Sequence, residues 1–266
     1  LYHGDIKLTP MQRANIERYD NPYGPSTGRA ASSQDKTRWP NAVIPYEFDC
    51  SIGNKQECLS TSQSMAEWES KTCIRFVKRT TETAYLSFFR GQGCWGHVGH
   101  TANYKSQISI GDNCDFQHVM THEIGHSVGF WHEQSRPDRD NYIQVLWENV
   151  VDGLHDAFEK RKWGTEVTDY GSKYDFASIM HYPFTAFSKN GRPTIKAIAD
   201  MQGKTPYVAL SADDAMQTNA MYKCNGKYSC MDKSGQCKSW AENGHCQTAV
   251  EAMKLDCPYS CGFCGK

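Results

Sequence analysis

Four short stretches in the first half of the chain carry the apolar pattern of β-strands. Their apolar residues alternate with polar ones or form a brief continuous run, and the residues around them favour turns. The predicted strands are residues 43–48, 73–77, 84–89 and 106–110. Because isolated strands are not stable in water, we expect them to share one sheet.

Helical spacing replaces the strand pattern elsewhere. Met65, Trp68 and Thr72, for example, recur at near-helical intervals. The predicted helices are most of residues 50–73, a helix capped by Asp115, a helix near residues 149–161, and a final helix that is capped by Ser211 and runs to Tyr222. Together, the strands and helices predict an α+β protein whose second half is less regular than its first.

Composition narrows the class of protein. The 266 residues allow one large or two modest domains, and the net charge of −1 with dispersed Lys and Arg argues against a nucleic-acid surface. No apolar run approaches the ~20 residues of a membrane span. Twelve cysteines, an even number, indicate disulfides and hence a secreted, extracellular protein. The chain begins at Leu1 without an apolar leader, so we expect a signal peptide to have been removed or left out.

Residues 122–132 combine histidine, glutamate and glycine at intervals that suit a metal site. His122 and His126 are four positions apart, so on a helix both imidazoles leave the same face and can bind one ion. Glu123 lies beside the metal, where a carboxylate can take a proton from a zinc-bound water. A His-Glu-x-x-His stretch alone also fits an amphipathic helix with surface histidines, because short motifs recur by chance.

Gly129 and His132 complete the pattern. A helix continued to position 132 would carry His132 off the metal face, about 240° past His126 at ~100° per residue. Glycine adopts positive φ at little cost, so Gly129 can end the helix and turn a third imidazole back to the same ion. Three protein ligands leave a coordination position open, which is typical of a catalytic zinc. We therefore predict one catalytic Zn²⁺ ion held by His122, His126 and His132.

Residues 178–182 (SIMHY) supply a second motif. With the histidine motif they resemble the metzincin signature and its Met-turn. Residues 133–140 (EQSRPDRD) extend the likeness, and the whole is similar to the astacin family of secreted zinc endopeptidases, from about Trp39 to Cys224. The resemblance implies a two-lobed metzincin (zincin) catalytic domain, with a mixed sheet and the active-site helix in its N-terminal lobe. It also implies a protein or peptide substrate that lies extended along an edge strand.

The resemblance also implies roles for three further residues. Met180 is expected below the metal as an apolar floor rather than as a ligand. Tyr182 is expected to help bind the oxyanion of the tetrahedral intermediate, while Glu123 acts as the base. A buried tyrosine with a satisfied hydroxyl is the alternative. Lys204 is a candidate basic residue of the S1′ pocket, although a solvated surface lysine fits equally well.

Residues 1–29 are polar and rich in turn formers, which alone would indicate a frayed N-terminal arm. The resemblance implies instead that they are a propeptide that is still attached. By resemblance, Trp39 and the strand at residues 43–46 place the mature N-terminus at Ala30, directly after Arg29. That bond lies in a loop rich in Gly, Pro and Ser, which suits cleavage by a trypsin-like protease.

A short motif within this segment bears on latency. Residues 2–6 (YHGDI) are similar to the Phe-x-Gly-Asp-Ile motif of astacin propeptides, with Tyr2 in place of Phe. In that family the Asp binds zinc where the catalytic water belongs, so the resemblance makes Asp5 a fourth metal ligand. His3 is a competing ligand, and an aspartate in a simple turn is the alternative. Glu133 pairs in the family with the freed N-terminus, so it should have another partner while residues 1–29 remain attached.

The cysteines also sort by resemblance. Six of them fall in a C-terminal stretch too small to bury a useful core, which resembles the disulfide-rich ShK toxin-like domain. The implied pairs are Cys73–Cys224, Cys94–Cys114, Cys230–Cys264, Cys237–Cys257 and Cys246–Cys261, with Cys50–Cys58 left over as a local pair. The implied domains are a propeptide (residues 1–29), a catalytic domain (residues 30–226) and a ShK-like domain (residues 230–264).

Two functions are compatible with this sequence. The leading hypothesis is a secreted, monomeric zinc endopeptidase in zymogen form, inhibited by Asp5 and activated by cleavage between Arg29 and Ala30. The alternative is a non-catalytic binding or toxin-like protein that acts through its ShK-like tail. The presence of Glu123 argues for the enzyme, because a purely structural zinc site would not need that carboxylate.

Overall fold

A computed structural model describes residues 1–10, 12–13, 31–32, 35–50, 55–162, 167–224, 236–257, 260–261 and 263 of the chain. In chain order, its strands are β1 (Ala31–Ser32), β2 (Val43–Glu47), β3 (Arg75–Lys78), β4 (Tyr85–Arg90), β5 (Trp95–Gly96), β6 (Lys105–Ile110), β7 (Ile143–Val145), β8 (Val167–Thr168) and β9 (Ile195–Ala197). Its α-helices are α1 (Lys55–Lys71), α2 (Gln117–Val128), α3 (Ala212–Met221), α4 (Cys237–Glu242), α5 (His245–Thr248) and α6 (Val250–Asp256).

The N-terminal lobe contains a five-stranded mixed sheet in the order β3-β2-β4-β6-β5. Its strands pair in parallel except β5, which runs antiparallel to β6 at one edge. The four predicted strands are confirmed, with ends that differ by one or two residues. Their apolar side chains, including Ile44, Leu86 and Ile108, are buried in the main core. The two-residue β5 was not predicted, because so short a strand has no apolar period of its own.

Helices α1 and α2 pack together in this lobe. The indole of Trp68 on α1 donates to the carbonyl oxygen of Thr121 on α2 at 3.1 Å, and the Ser64 hydroxyl donates to the Gln117 carbonyl at 2.9 Å. The prediction that Asp115 caps α2 is wrong. The N-cap residue is Phe116, without a side-chain cap, and the Asp115 carbonyl instead accepts from the hydroxyl of Ser60.

The second lobe is less regular, as expected. It contains the antiparallel pair β7–β9 and several single turns around its own apolar cluster. The prediction of a helix near residues 149–161 is wrong, since only the short turns Trp147–Asn149 and His155–Phe158 form there. Gly153, at φ 86°, interrupts the segment between them. On either side, the backbone N–H groups of Val151 and Arg161 instead donate to carbonyl oxygens that are distant in sequence, those of Phe187 and Ser135.

The helix predicted after Ser211 forms as expected. Ser211 caps α3 through a capping box, in which its hydroxyl accepts from the Asp214 N–H and Asp214 accepts from the Ser211 N–H. A disulfide between Cys73 and Cys224 then joins the chain just after α3 to the chain just before β3. Met221 and Leu210 pack in the same core as the sheet residues. The two lobes are thus held together by both a covalent bond and shared apolar burial.

The C-terminal region is small and depends on disulfides. Helices α4, α5 and α6 surround an apolar cluster of Cys237, Cys246, Met253 and Cys257. The disulfides Cys237–Cys257 and Cys246–Cys261 form as expected, as do Cys50–Cys58 and Cys94–Cys114 in the N-terminal lobe. The expected pair Cys230–Cys264 lies outside the described residues. Within the described part of the chain, no helix has the length and apolar character needed to cross a membrane.

Candidate active site

Helix α2 presents two histidines whose rings are fixed from behind. The Nδ1 of His122 lies 2.8 Å from the Ile179 carbonyl oxygen, and that of His126 lies 2.8 Å from the Phe130 carbonyl oxygen. Because a carbonyl oxygen only accepts, both Nδ1 atoms carry the proton and both Nε2 atoms keep a lone pair. These two Nε2 atoms are buried and have no hydrogen-bond partner among the described residues. They are therefore free to bind a metal ion.

His132 joins them after the turn at Gly129. Gly129 adopts φ 126° and closes the helix by donating to the carbonyls of Gly125 and His126. His132 itself has an extended backbone, and its ring centre lies 5.3 Å from that of His122 and 4.8 Å from that of His126. The predicted function of the glycine, to end the helix and turn the chain, matches this geometry.

Asp5 faces all three imidazoles. Its carboxylate oxygens lie 3.3 Å from His122 Nε2, 3.6 Å from His126 Nε2 and 3.0 Å from His132 Nε2. One donor atom from each of the four residues falls within a group no wider than 4.8 Å. Three imidazole nitrogens and one carboxylate oxygen form a donor set that suits tetrahedral zinc. The buried and unpartnered Nε2 atoms show that the residues present fit such an ion.

Electrostatics favour a neutral His132 beside a charged Asp5. Burial lowers the pKa of His132 to about 4, despite the neighbouring Asp5 carboxylate. Burial also raises the pKa of Asp5, but the neighbouring imidazoles, His132 above all, lower it by more, so that the pKa of Asp5 lies well below its usual value. Neutral imidazoles and an ionised carboxylate are the forms that bind a metal.

Glu123 lies on the same helix, beside the cluster. Its side chain is buried, and its Oε2 atom has no hydrogen-bond partner among the described residues. Burial and the nearby Asp5 carboxylate raise the pKa of Glu123 well above its usual value. A Cβ atom on Gly96 of β5 would lie 3.0 Å from the Glu123 carbonyl and 3.3 Å from Oε2, so the absence of a side chain there leaves room for this carboxyl. Such a group can hold and release a proton.

Tyr182 lies on the other side of the cluster. Its ring centre is 4.4 Å from that of His132, and its hydroxyl donates to the carbonyl oxygen of His3. The floor of the site is Met180, which is buried, and its sulfur is so close that a Cβ on Gly125 would lie 2.5 Å from it. Both Met-turn residues thus lie close to the histidine cluster, and their predicted roles stay predictions.

The N-terminal segment enters the cleft as a tight turn. Tyr2 and Ile6 form a bridge, with N···O distances of 2.8 Å and 3.0 Å. Ile6 then pairs in parallel with Gly96 at the free edge of β5. Gly4 adopts φ 84°, and a Cβ there would collide with the ring of Phe187. The turn therefore requires a glycine at position 4, and it places Asp5 at the metal cluster.

His3, the competing candidate ligand, contacts other residues instead of joining the cluster. Its Nδ1 lies 3.3 Å from the hydroxyl oxygen of Ser135, and its ring stacks on Tyr2 with centres 4.3 Å apart. Among the described residues the four-member cluster contains Asp5 and not His3. The structure thus favours the carboxylate over the imidazole as the group that faces the three histidines.

Glu133 has partners other than an N-terminus, as expected while residues 1–29 remain attached. Its Oε1 lies 3.3 Å from the Arg136 guanidinium and accepts the Asp175 N–H at 2.8 Å. Burial raises the pKa of Glu133 to about 8, although the charge of Arg136 opposes the shift. Ala30 lies outside the residues that the structure describes, and so does its expected pairing.

Tyr207 contacts the metal cluster but was not predicted from the sequence. Its ring centre lies 5.0 Å from that of His122 and 5.2 Å from that of His118. The residue adopts φ 60°, and neither periodicity nor a motif marks it in the sequence. Lys204 is not a free basic residue, because its ammonium lies 2.8 Å from the buried carboxylate of Asp175.

A mixed sheet, a helix that carries two of three clustered histidines, and a methionine turn beneath them are the fold and site of the metzincin class. Residues 31–223 match the Astacin peptidase family, and residues 229–264 match the ShK domain-like family. The chain belongs to the astacin family, and zinc is the metal of its site.

Relatives and solved structures agree with this assignment. The chain is 38% identical to Blastula protease 10 of Paracentrotus lividus over 96% of its own length, but spans only 46% of that protein. It is 33% identical to Zinc metalloproteinase nas-6 of Caenorhabditis elegans, over 91% of this chain and 78% of that one. The solved structure of High choriolytic enzyme 1, a hatching enzyme zinc-protease from Oryzias latipes, is similar with a TM-score of 0.63 and 32% identity. The match covers 71% of this chain and 94% of that one.

Proposed function

We propose that the protein is a secreted zinc endopeptidase of the astacin type, present here as a zymogen. The observation that carries the proposal is the meeting of Asp5 with His122, His126 and His132 in one donor cluster. A carboxylate from the N-terminal segment that fills the fourth ligand position excludes the water needed for hydrolysis. Latency therefore follows from the same residues as activity.

The proposed chemistry uses two further side chains. His122, His126 and His132 hold the zinc ion, which when bound polarises the scissile carbonyl and promotes ionisation of water. Glu123 takes up the proton of the attacking water and delivers it to the leaving amine, a task that suits a buried carboxyl with a raised pKa. The Tyr182 hydroxyl donates to the oxyanion of the tetrahedral intermediate.

In the proposed latent form both side chains are engaged by the N-terminal segment. The Tyr182 hydroxyl donates to the His3 carbonyl oxygen, so it is not available to a substrate. Burial raises the pKa of Glu123, and the charge of the Asp5 carboxylate raises it further and so opposes ionisation of that carboxyl. Removal of residues 1–29 by a trypsin-like protease that cuts between Arg29 and Ala30 frees both groups together.

The proposed domains are the propeptide (residues 1–29), the catalytic domain (residues 30–226) and the ShK-like domain (residues 230–264). Protein substrates lie along the free edge of β5, where Ile6 pairs in the latent form. The ShK-like domain is an accessory module that targets the enzyme or positions its substrates, and the enzyme acts as a secreted monomer.

The test is limited cleavage of the zinc-loaded full chain with trypsin. We expect a new N-terminus at Ala30 by mass spectrometry, together with a gain in hydrolysis of casein that a zinc chelator abolishes. Glu123→Ala should be cut in the same way but remain inactive, and Arg29→Gln should stay latent. If wild-type protein cut at Arg29 hydrolysed no protein or peptide, the binding function through the tail would replace the endopeptidase.

A further inference from the structure

A second pocket lies beside the metal cluster, and Tyr2 occupies it. Its apolar wall consists of Val98, Trp131 and Val167, which form one buried cluster with Ile6, and the Tyr2 ring packs against them. The Tyr2 and Trp131 rings meet edge to face with centres 6.3 Å apart. Trp131 directly precedes the metal ligand His132, so the pocket adjoins the zinc site.

The pocket also contains a buried cation. The guanidinium of Arg161 lies 4.1 Å from the Trp131 ring centre and 5.1 Å from the Tyr2 ring centre. Its Nη1 donates to the Tyr2 hydroxyl oxygen. The residue is only 4% exposed, and its main-chain N–H donates to the Ser135 carbonyl at 2.7 Å. Its position is thus fixed by backbone as well as by ring contacts.

The pocket lies where a bound substrate must pass. The Tyr2–Ile6 bridge places Tyr2 beside Ile6, which pairs with Gly96 at the free edge of β5. Val98, in the pocket wall, follows that strand by two positions. A peptide that pairs with the same edge takes the place of Ile6, whose side chain belongs to the same buried cluster as the pocket wall. One side chain of that peptide therefore contacts the wall once residues 1–29 have left.

We propose that Trp131 and Arg161 form a substrate subsite that selects a tyrosine side chain. The inference rests on the proposed endopeptidase function and names a preference of that same cleft. A tyrosine ring fills the apolar wall, and its hydroxyl oxygen accepts from the guanidinium. Phenylalanine fills the wall but cannot accept the hydrogen bond that the guanidinium donates to a tyrosine hydroxyl, and the loss of one such bond corresponds to about tenfold in binding.

A carboxylate side chain is the main competitor for a cationic pocket. Glutamate pairs with Arg161 but does not cover the face of Trp131 or the apolar wall. Tyr2 instead satisfies the apolar wall and the cation at once. The contacts therefore favour an aromatic residue with an acceptor over an acidic one.

The test uses zinc-loaded enzyme cut at Arg29 and a series of peptides that differ at one position. Tyr, Phe, Glu or Ala is placed in turn at each position on both sides of the scissile bond, and kcat/KM is measured. At one position we expect Tyr to exceed Phe by about tenfold, and Phe to exceed Ala. The Arg161→Gln variant should bring the Tyr/Phe ratio close to one, whereas Arg192→Gln, at an exposed arginine, should keep it.

A second measurement needs no variant. The peptides Tyr-His-Gly-Asp-Ile and Phe-His-Gly-Asp-Ile are compared as inhibitors of the cut wild-type enzyme, and the first should bind about tenfold more tightly. Any of four results would overturn the subsite. They are equal inhibition by the two peptides, equal cleavage of Tyr and Phe peptides, an unchanged Tyr/Phe ratio in Arg161→Gln, and a preference for Glu. Failure to cut any peptide, Ala peptides included, would instead refute the endopeptidase itself.

Discussion

At the scale of single residues, the metal cluster depends on main-chain carbonyl groups as well as on its histidines. The carbonyls of Ile179 and Phe130 hold the Nδ1 protons of His122 and His126, so both Nε2 atoms face the same space. Outer-sphere bonds of this kind orient metal ligands and raise their basicity. The Ile179 carbonyl belongs to the Met-turn, far along the chain, so the two motifs build one site.

Asp5 is the residue on which latency is proposed to depend. We predict that Asp5→Ala, in the uncut and zinc-loaded chain, raises basal peptide hydrolysis at least about tenfold, because the fourth ligand position becomes open to water. The ratio of uncut to cut activity measures the effect. Glu148→Ala, at an exposed carboxylate, should leave that ratio unchanged. An uncut Asp5→Ala protein as inactive as wild type would show that another contact maintains latency.

The histidines and Asp5 were predictable because motif spacing carries the information. His122, His126 and His132 follow from helical geometry and one glycine, whereas Asp5 needed a family resemblance. Arg161 and Tyr207 had no such signal. They reach the cleft only through tertiary contacts between segments that are distant in sequence, which local pattern does not encode.

At the scale of elements, the end of α2 decides whether the third imidazole reaches the metal. Gly129 has φ 126°, a conformation that side-chain-bearing residues rarely adopt, and a Cβ there would lie 3.3 Å from the Met221 sulfur. The segment near residues 149–161 shows the opposite case. Its apolar spacing is helical, but Gly153 and hydrogen bonds to distant loops prevent a helix. Propensity was overridden there by tertiary structure.

Gly129→Ala should therefore weaken zinc binding as well as the fold. We expect a loss of about 1–3 kcal/mol in the free energy of unfolding and at least about a tenfold rise in the zinc dissociation constant. Chelator competition measures the second quantity. Gly191→Ala is the matched control, since Gly191 also has positive φ, 76°, with no atom near its Cβ position. If the two variants bound zinc equally well, the turn at Gly129 would not determine whether His132 reaches the metal.

The edge hairpin β5–β6 carries a pH-sensitive histidine. The N–H of Gln107 donates to His97 Nδ1 at 3.0 Å, and burial lowers the pKa of His97 to about 4. Because the folded pKa lies below the ordinary value of 6.5, the unfolded chain takes up the proton first as pH falls. Stability conferred by neutral His97 is thus complete above pH 6.5 and is lost as pH falls towards 4.

His97→Gln should reduce the dependence of folding stability on pH, since a glutamine oxygen can still accept the Gln107 N–H without taking up a proton. We expect wild type to lose on the order of 2 kcal/mol more than the variant between pH 6.5 and about pH 5, measured by urea unfolding. His155→Gln, at an exposed histidine, should behave as wild type does. Parallel pH profiles for wild type and His97→Gln would contradict the assignment.

At the scale of the whole molecule, the two lobes share one core and one covalent link. Met180, Leu210 and Met221 pack with the apolar residues of the sheet, and Cys73–Cys224 closes a loop with a sequence separation of 151. Pattern and resemblance together predicted the α+β class, the two lobes and the Cys73–Cys224 pair. The short edge strand β5, where the N-terminal segment pairs, was not, because two residues carry no period.

The disulfides should differ in their contribution to stability. In the chain-entropy account, Cys73–Cys224 stabilises the fold by about 5 kcal/mol and Cys50–Cys58, with a separation of 8, by about 2.5 kcal/mol. Replacing each pair by serines should therefore lower Tm more for the first pair. Thermal unfolding of the two double variants measures this difference, and equal losses would mean that loop length does not govern their effect.

The turn at residues 2–6 has a consequence for autolysis. Proteases cut peptides that lie extended across the catalytic groups, but here the backbone next to the metal cluster is folded back, with Gly4 at φ 84° and Tyr2 bridged to Ile6. While it stays in place, the turn offers no extended peptide bond for hydrolysis. Self-digestion of the proposed zymogen is therefore expected to start at another point on the chain, and the turn itself should survive in the first cleavage products.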